Sequence, residues 1–308
     1  MVGIAIINYK SYKKTIECIE SIRKTTNSLF KIYLLENGSN DESAEILFNE
    51  YKNSQDVHLI ISDVNHGYAR GNNLLIECMY KDKCDVGVIS NNDIICKNNC
   101  IDKLVLDLAE SNNNFLLIGP KIINPDNRTQ RSVKLKRYND FEYLCKSTYL
   151  SRFFEGAIIR DDKKISGINS LAEVFWVSGA FFAFDVLKMK TIGEFDPKTF
   201  LFFEEYILSE KARKMGYKMG YDPRVEVFHY HAVSTGGGLN INSKIAADRS
   251  ERYYFSEYQS SKYIFLSILK IVRTLEVLYT FGKKRDISSI KKYLVEIKVP
   301  LVKEKRRI

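Results

Sequence analysis

Several signatures that would place this chain at once are missing from it. The residues after Met1 run straight into a strand pattern, M-V-G-I-A-I-I-N-Y, with no basic segment ahead of a longer apolar one, so no secretion signal is expected. No run of about 18 apolar residues occurs. The nearest, residues 263–281, is broken by Lys270, Arg273 and Glu276, and no membrane-crossing helix is expected. The six cysteines form no C-x-x-C pair. Cys96 and Cys100 stand four apart but lack a matching His/Cys pair, so reduced cytoplasmic thiols are expected rather than a zinc site. Neither G-x-G-x-x-G nor G-x-x-x-x-G-K-[ST] is present, which excludes the common dinucleotide and triphosphate loops. Internal repeats and low-complexity tracts are also absent.

What is present suits a globular protein with a sizeable core: 308 residues, 45% hydrophobic and 28% charged. That length has room for one large α/β domain and an appendage. The net charge is +9. Residues 250–308 hold fourteen Lys/Arg and six Asp/Glu, or +8, so the first 249 residues are close to neutral. The basic excess therefore belongs to the tail, where it is either a solvated helix surface or an attraction to an acidic partner. No nucleic-acid-binding motif accompanies it, so nucleic acid is not the expected partner.

The pattern over residues 2–123 alternates strand and helix. Strands are expected at 2–8, 30–36, 57–62, 86–90 and 116–119, with helices at 11–26 and 41–52 and from the loop at 65–73 to about 80. Ser39 and Glu42 have capping-box spacing for the second helix. This rhythm means βαβ units and a mostly parallel, Rossmann-like sheet with flanking helices. Residues 124–168 are polar with weak periodicity, and no structure is assigned to them. Order returns in the apolar window 173–184, after which Asp185 can cap a short helix. Phe195-Asp196-Pro197 marks a turn. A helix at 205–215 ends at Gly216, and a last strand at 225–228 ends at His229. Domain boundaries follow: 1–240 as a catalytic domain (1–120 for a nucleotide, 121–240 for an acceptor) and 241–308 as a basic helical region.

Residues 86–93, V-G-V-I-S-N-N-D, carry the most chemical information. A continuous apolar run reads as a buried parallel strand, and its carboxyl end delivers Asn91, Asn92 and Asp93 to the edge where open α/β sheets bind ligands. Asn8-Tyr9, Glu36-Asn37-Gly38 and residues 65–73 fall at equivalent strand ends. So many amides and carboxylates on one edge suit a ligand with many hydroxyls and a ring. Asn and Asp also favour turns for local reasons, and a plain strand-to-helix turn stays open for residues 91–93.

The ordered set N-Y, E-N-G-S, N-H-G-Y-A-R-G-N-N, N-N-D, W-V-S-G-A, F-D-P…F-F-E-E and F-H-Y-H-A-V-S-T resembles glycosyltransferase family 2, the inverting GT-A enzymes. It is most similar to rhamnosyltransferase-like members that build bacterial surface polysaccharides such as capsule and O-antigen. The resemblance covers roughly residues 2–235. It implies that Asp93 ligates a Mg²⁺ or Mn²⁺ bridging the donor diphosphate, with His229 beside the same metal. It further implies that Asn8, Tyr9, Glu36, Asn37, Asn65, Gly67, Arg70, Asn73, Asn91 and Asn92 bind the nucleotide-sugar, UDP- or dTDP-linked. Trp176, Gly179 and Ala180 would line the acceptor side. Glu205, the second residue of the family's Glu-Asp pair, would be the catalytic base, with Glu204 as its neighbour. A sugar hydroxyl needs a carboxylate to take its proton, and a departing diphosphate needs a cation, so both roles are chemically sound.

Each residue also has an ordinary reading. Glu204 and Glu205 can be first-turn residues complementing a helix dipole. About 100° separates neighbours on a helix, so the two are not expected to share one task. His229 can be a loop histidine and Trp176 a core residue. The chain departs from the family at Glu36 and Glu205 (usually Asp), Asn92 (often Pro), Asp185 (often Arg) and Ile207 (often Asp). Those departures motivate the alternative of a non-catalytic nucleotide-sugar-binding or membrane-associated interaction module.

In the tail, residues 264–281 are amphipathic, with Ser267, Lys270, Arg273, Thr274 and Thr280 along one side and basic clusters at 283–285, 291–292 and 303–307. Such a segment can lie on an anionic membrane, fitting a lipid-linked glycan acceptor, or pack on the catalytic domain or in a homodimer. The expected location is cytoplasmic, peripheral on the inner face of the cell membrane.

Overall fold

A computed structural model describes residues 1–110, 114–230 and 240–298, with the side chain of Ala157 set aside. The chain forms two compact units. The first comprises Met1–Arg137, Lys164–Phe200 and Glu204–Gly237, and the second Tyr138–Lys163, Leu201–Phe203 and Gly238–Ile308, as far as their residues are described.

Strands of the first unit are β1 (Val2–Asn8), β2 (Phe30–Asn37), β3 (Val57–Ser62), β4 (Val86–Asn91), β5 (Ile94–Cys96), β6 (Phe115–Ile123), β7 (Val133–Lys134), β8 (Ala172–Val174), β9 (Trp176–Val177), β10 (Phe181–Asp185) and β11 (Lys218–His229). Helices along the chain are α1 (Tyr12–Thr25), α2 (Ser43–Tyr51), α3 (Gly67–Lys81), α4 (Cys100–Glu110), α5 (Asp140–Ser147), α6 (Glu155–Ser166), α7 (Val186–Thr191), α8 (Glu204–Lys214), α9 (Ile241–Tyr253), α10 (Tyr263–Lys283) and α11 (Ile287–Glu296). Nine strands make the main sheet in the order β3-β2-β1-β4-β10-β6-β11-β5, with β8 on β11. β1 to β4 are parallel, β6 and β11 are parallel to each other, and β10 runs antiparallel between β4 and β6.

The central strands β1, β4 and β10 are largely apolar because both faces of the sheet are covered there. Ile4, Ile6, Ile32, Leu34 and Val88 face one way, where Cys18, Ile19 and Ile22 of α1 and Ile101 and Leu104 of α4 cover them. Ala5, Leu35, Ile89, Phe182 and Phe184 face the other way, against Leu75, Ile76 and Met79 of α3 and Leu208 and Ala212 of α8.

The structure alters several expectations. Ser39 and Glu42 form no capping box: the Ser39 hydroxyl turns to Glu36 and to the amide of Lys10, and α2 opens at Ser43 without a side-chain cap. Most of the supposed loop 65–73 is the start of α3. Strand β5 was not anticipated, and β6 is longer than read. The polar stretch 124–168 contains β7, α5 and α6; Asn139 and Glu142 form a capping box at the start of α5. Asp185 does cap α7 through the amide of Lys188, and α8 gives way to Gly216 in the left-handed region.

In the second unit, Ile245, Val277, Phe281, Tyr293 and Ile297 pack between α9, α10 and α11. Beside them Arg273 of α10 pairs with Glu251 and Glu276, and Lys244 with Asp248, all largely buried. No described helix is long and apolar enough to cross a membrane.

Candidate active site

Strand register brings the polar clusters to one edge. Asn8 at the end of β1 sits opposite Glu36 of β2, and Ile7 opposite Asn91 of β4. Because β10 is antiparallel, its amino end arrives at the same edge, and the amide of Asn91 donates to the carbonyl of Ala180 at 2.8 Å. One residue earlier, the amide of Gly179 donates to Oε1 of Glu205 at 2.9 Å. A short backbone path thus joins the strand end that carries Asp93 to the first turn of α8.

Behind this edge lies a buried hydrogen-bond chain. Asn92 Nδ2 donates to Thr15 Oγ1 at 3.0 Å, and that hydroxyl donates to Asn8 Oδ1 at 2.8 Å. The Glu36 carboxylate accepts from the amides of Gly38 at 3.1 Å and Ser39 at 3.0 Å, and from the Ser39 hydroxyl. Asn8, Glu36 and Asn92 are all buried. In this arrangement their side chains brace the turns at the strand ends. The longer glutamate at position 36 curls back onto its own turn.

Asn37 is buried as well. Its Oδ1 accepts from the His66 amide at 2.9 Å and its Nδ2 donates to Asn65 Oδ1 at 3.1 Å, while that oxygen also caps Gly67 at 2.8 Å. Gly67 holds φ +71°, and a Cβ there would stand 2.4 Å from the carbonyl oxygen of Phe200, so no larger residue fits. Asn73 exchanges two hydrogen bonds with the backbone of Phe195, and Arg70 Nε donates to the Pro197 carbonyl at 3.1 Å. The motif residues of α3 therefore clamp the Phe195–Pro197 turn. Tyr9 and Asn91 are half-buried and Arg70 is exposed, so these three can meet a ligand.

Asp93 follows β4, and its carbonyl accepts from the Tyr230 amide at 3.0 Å, which brings the end of β11 alongside. Asp93 Oδ1 lies 3.0 Å from His229 Nε2, both side chains buried, and His229 Nδ1 lies 3.0 Å from Gln130 Oε1. A carboxylate oxygen and an imidazole nitrogen are thus set side by side, with Gln130 holding the far side of the ring. One hard oxygen and one imidazole nitrogen fit Mg²⁺ or Mn²⁺ bound largely by substrate phosphates. Among the described residues no cluster of three His, Cys, Asp or Glu side chains could hold a metal, so these two would share it with the donor. Gln130 was not singled out from sequence, since nothing local marks it. His231 and the remainder of its motif lie outside the described residues.

Adjacent positions send the two glutamates different ways. Glu204 is 2% exposed and its Oε1 has no hydrogen-bond partner among the described residues. Burial, then the Glu205 charge, pushes its carboxyl well above the usual range. Glu205 is only half-buried; burial raises it too, opposed by its own amide and that of Gly179. Burial thus disfavours charge on both, and Glu205 is the more accessible of the two carboxyls. Trp176 is half-buried, 5.5 Å from the Tyr206 ring, and its Nε1 lacks a partner among the described residues.

Tyr68 was missed in the sequence, although it stands within the 65–73 motif. Its hydroxyl donates to the Gly179 carbonyl at 2.7 Å, while burial and the two glutamates hold its phenol well above the usual range and thus protonated. Tyr68 holds the carbonyl of Gly179 and Glu205 its amide, on successive peptide groups. A Cβ on Gly179 would lie 2.4 Å from Glu205 Oε1 and 2.6 Å from the Tyr68 oxygen. Loss of one neutral hydrogen bond is worth about 1 kcal/mol, so Tyr68→Phe should lower kcat by about fivefold with donor KM unchanged. Gly179→Ala should cost far more, because it displaces the carboxylate itself; steady-state kinetics of the two variants checks the order.

Comparison with known proteins gives a consistent result. Residues 3–167 match the family model "Glycosyl transferase family 2". Two curated relatives, both "N-acetylglucosaminyl-diphospho-decaprenol L-rhamnosyltransferase" from Mycobacterium tuberculosis (strains CDC 1551 / Oshkosh and ATCC 25618 / H37Rv), are 24% identical over 253 residues, 77% of this chain and 78% of theirs. Among solved structures, GalNAc-T7 with UDP, GalNAc and Mn²⁺ superposes with a TM-score of 0.60 at 16% identity over 84% of this chain; the chain spans about half (49%) of its length. The mannosyltransferase PcManGT from Pyrobaculum calidifontis, in complex with GDP-Man and Mn²⁺, gives 0.54 at 13% identity over 96% of this chain and 85% of its own.

Proposed function

Because this chain belongs to glycosyltransferase family 2, we propose that it performs metal-dependent, inverting transfer of one sugar from a nucleoside diphosphate onto a lipid-linked glycan of the cell surface. The observation that carries most weight is the path Asp93–Asn91–Ala180–Gly179–Glu205, which links the carboxylates of Asp93 and Glu205 at one sheet edge and supports separate roles for them. In the reaction Glu205 takes the acceptor hydroxyl proton as that oxygen bonds to the anomeric carbon and the carbon–phosphate-oxygen bond breaks. A single displacement inverts the anomeric centre. Burial of Glu204 disfavours a second charge beside the base. A divalent ion held by Asp93 and His229 would supply positive charge against the leaving diphosphate. Tyr9, Arg70 and Asn91 are assigned to the nucleotide, and Trp176 to the acceptor.

The mycobacterial relatives are named for L-rhamnosyl transfer to a diphospho-decaprenol sugar, and the solved neighbours hold UDP or GDP-Man with Mn²⁺. These support rhamnose and a lipid diphosphate as the first donor sugar and acceptor to try. The alternative of a binding module without turnover is weaker, since Glu205 fills the base position with a competent, accessible carboxylate. Unfolding temperatures of the protein with UDP-, dTDP- and GDP-sugars should rise for one of them, and more with Mn²⁺ present. That donor should then label a synthetic lipid diphospho-sugar with inverted anomeric configuration by NMR. No stabilisation by any donor and no labelled product would overturn the assignment.

A further inference from the structure

The helix α10 is inside out for a protein surface. Its charged residues Arg273 and Glu276 point inward to the network with Glu251. Its apolar residues Ile264, Ile268, Ile271, Leu275 and Leu278 stand exposed, at spacings of 4, 3, 4 and 3 along one face. Neighbouring residues of the same unit extend that face. Tyr149 packs edge-on against Tyr279 with ring centroids 5.8 Å apart, and its hydroxyl shares a hydrogen bond with Thr280 at 2.8 Å. Phe153, a few residues on, is 74% exposed with the Arg152 guanidinium 5.8 Å from its ring. Lys283 lies 4.3 Å from the Tyr279 ring centre, and Lys262, Lys284 and Arg285 are exposed at the two ends of the helix.

We infer that this face docks in the plane of an anionic lipid bilayer, the leaflet that presents the proposed acceptor. It deepens the lipid-linked reading given above, but binding can be measured without any turnover. Three features favour a bilayer over a second copy of the chain. The helix is on the order of 30 Å long, lies along its stripe and is not apolar enough to cross a membrane. Its aromatic and basic residues border the aliphatic row, as required at a headgroup boundary. Asp248, Glu251 and Glu276 beside the helix are turned inward while Lys262, Lys283, Lys284 and Arg285 at its ends face out, so the surface bordering the apolar row is predominantly basic, which repels a second copy and attracts anionic lipid.

The test is flotation of the full-length protein with vesicles of phosphatidylcholine alone or mixed with phosphatidylglycerol, at low and high salt, beside the Ile271→Glu/Leu275→Glu double variant. Both substituted positions are exposed, so circular dichroism should show the same helix content. Wild type should float with the anionic vesicles, less so at high salt, and the variant should partition at least about tenfold more weakly. Equal partition of the two proteins, or no flotation of wild type, overturns the inference. So does a two-chain particle in light scattering that the double substitution dissociates while wild type ignores vesicles.

Discussion

Replacing Glu205 by Gln is expected to lower kcat by between about 10² and 10⁴, the range that a positioned general base contributes. Gln retains an oxygen for the Gly179 amide, so the 2.9 Å hydrogen bond and the fold around it survive and donor affinity should be unchanged. Glu204→Gln should keep most of the turnover, because Glu204 is buried and Glu205 is the accessible carboxylate. The two variants together decide which glutamate is the base. The pH profile adds an independent readout. Burial raises the Glu205 carboxyl, so the acid limb of kcat/KM in wild type should lie above the ordinary glutamate range. Stability moves in the opposite sense. Folded values above unfolded ones mean that the protonated pair favours folding fully below the ordinary carboxylate range, and that contribution is lost as the pH rises through the folded values. Glu204→Gln should therefore unfold at higher temperature than wild type near neutral pH, with the difference vanishing in acid.

The sheet was legible in the sequence because strands buried on two faces announce themselves as continuous apolar runs, and β1 and β4 begin where those runs begin. The site was legible as a set of strand-end clusters, since a parallel sheet must bring those ends together. What could not be read was direction. Asn92 stands at a strand end, yet its partner Thr15 is 77 residues away and no local pattern reveals it. The same limit hid Tyr68, whose partner Gly179 is 111 residues away. It also obscured α10, where a charged stripe normally means solvent. Glu251, which turns Arg273 inward, belongs to a different helix, and no periodicity within residues 264–281 reveals it.

Asp93→Ala should abolish the metal dependence of nucleotide binding and reduce turnover by on the order of 10³ or more, as loss of charge stabilisation worth several kcal/mol implies. The buried carboxylate is the single anionic oxygen donor in the Asp93–His229 pair, so the imidazole left behind cannot hold a hard cation alone. Calorimetric titration of wild type with the nucleoside diphosphate should show tighter binding with Mn²⁺ than with a chelator. In the variant the two titrations should coincide. Chelation should silence wild-type transfer, and adding Mn²⁺ or Mg²⁺ should restore it, whereas no concentration of either ion should restore the variant. His229→Ala offers the graded comparison: with Asp93 intact, part of the metal response should remain and should grow with metal concentration. If wild type instead bound nucleotide equally well under chelation, the 3.0 Å contact between Asp93 and His229 would be a structural ion pair, and the leaving diphosphate would depend on Arg70 and neighbouring amides for its charge balance.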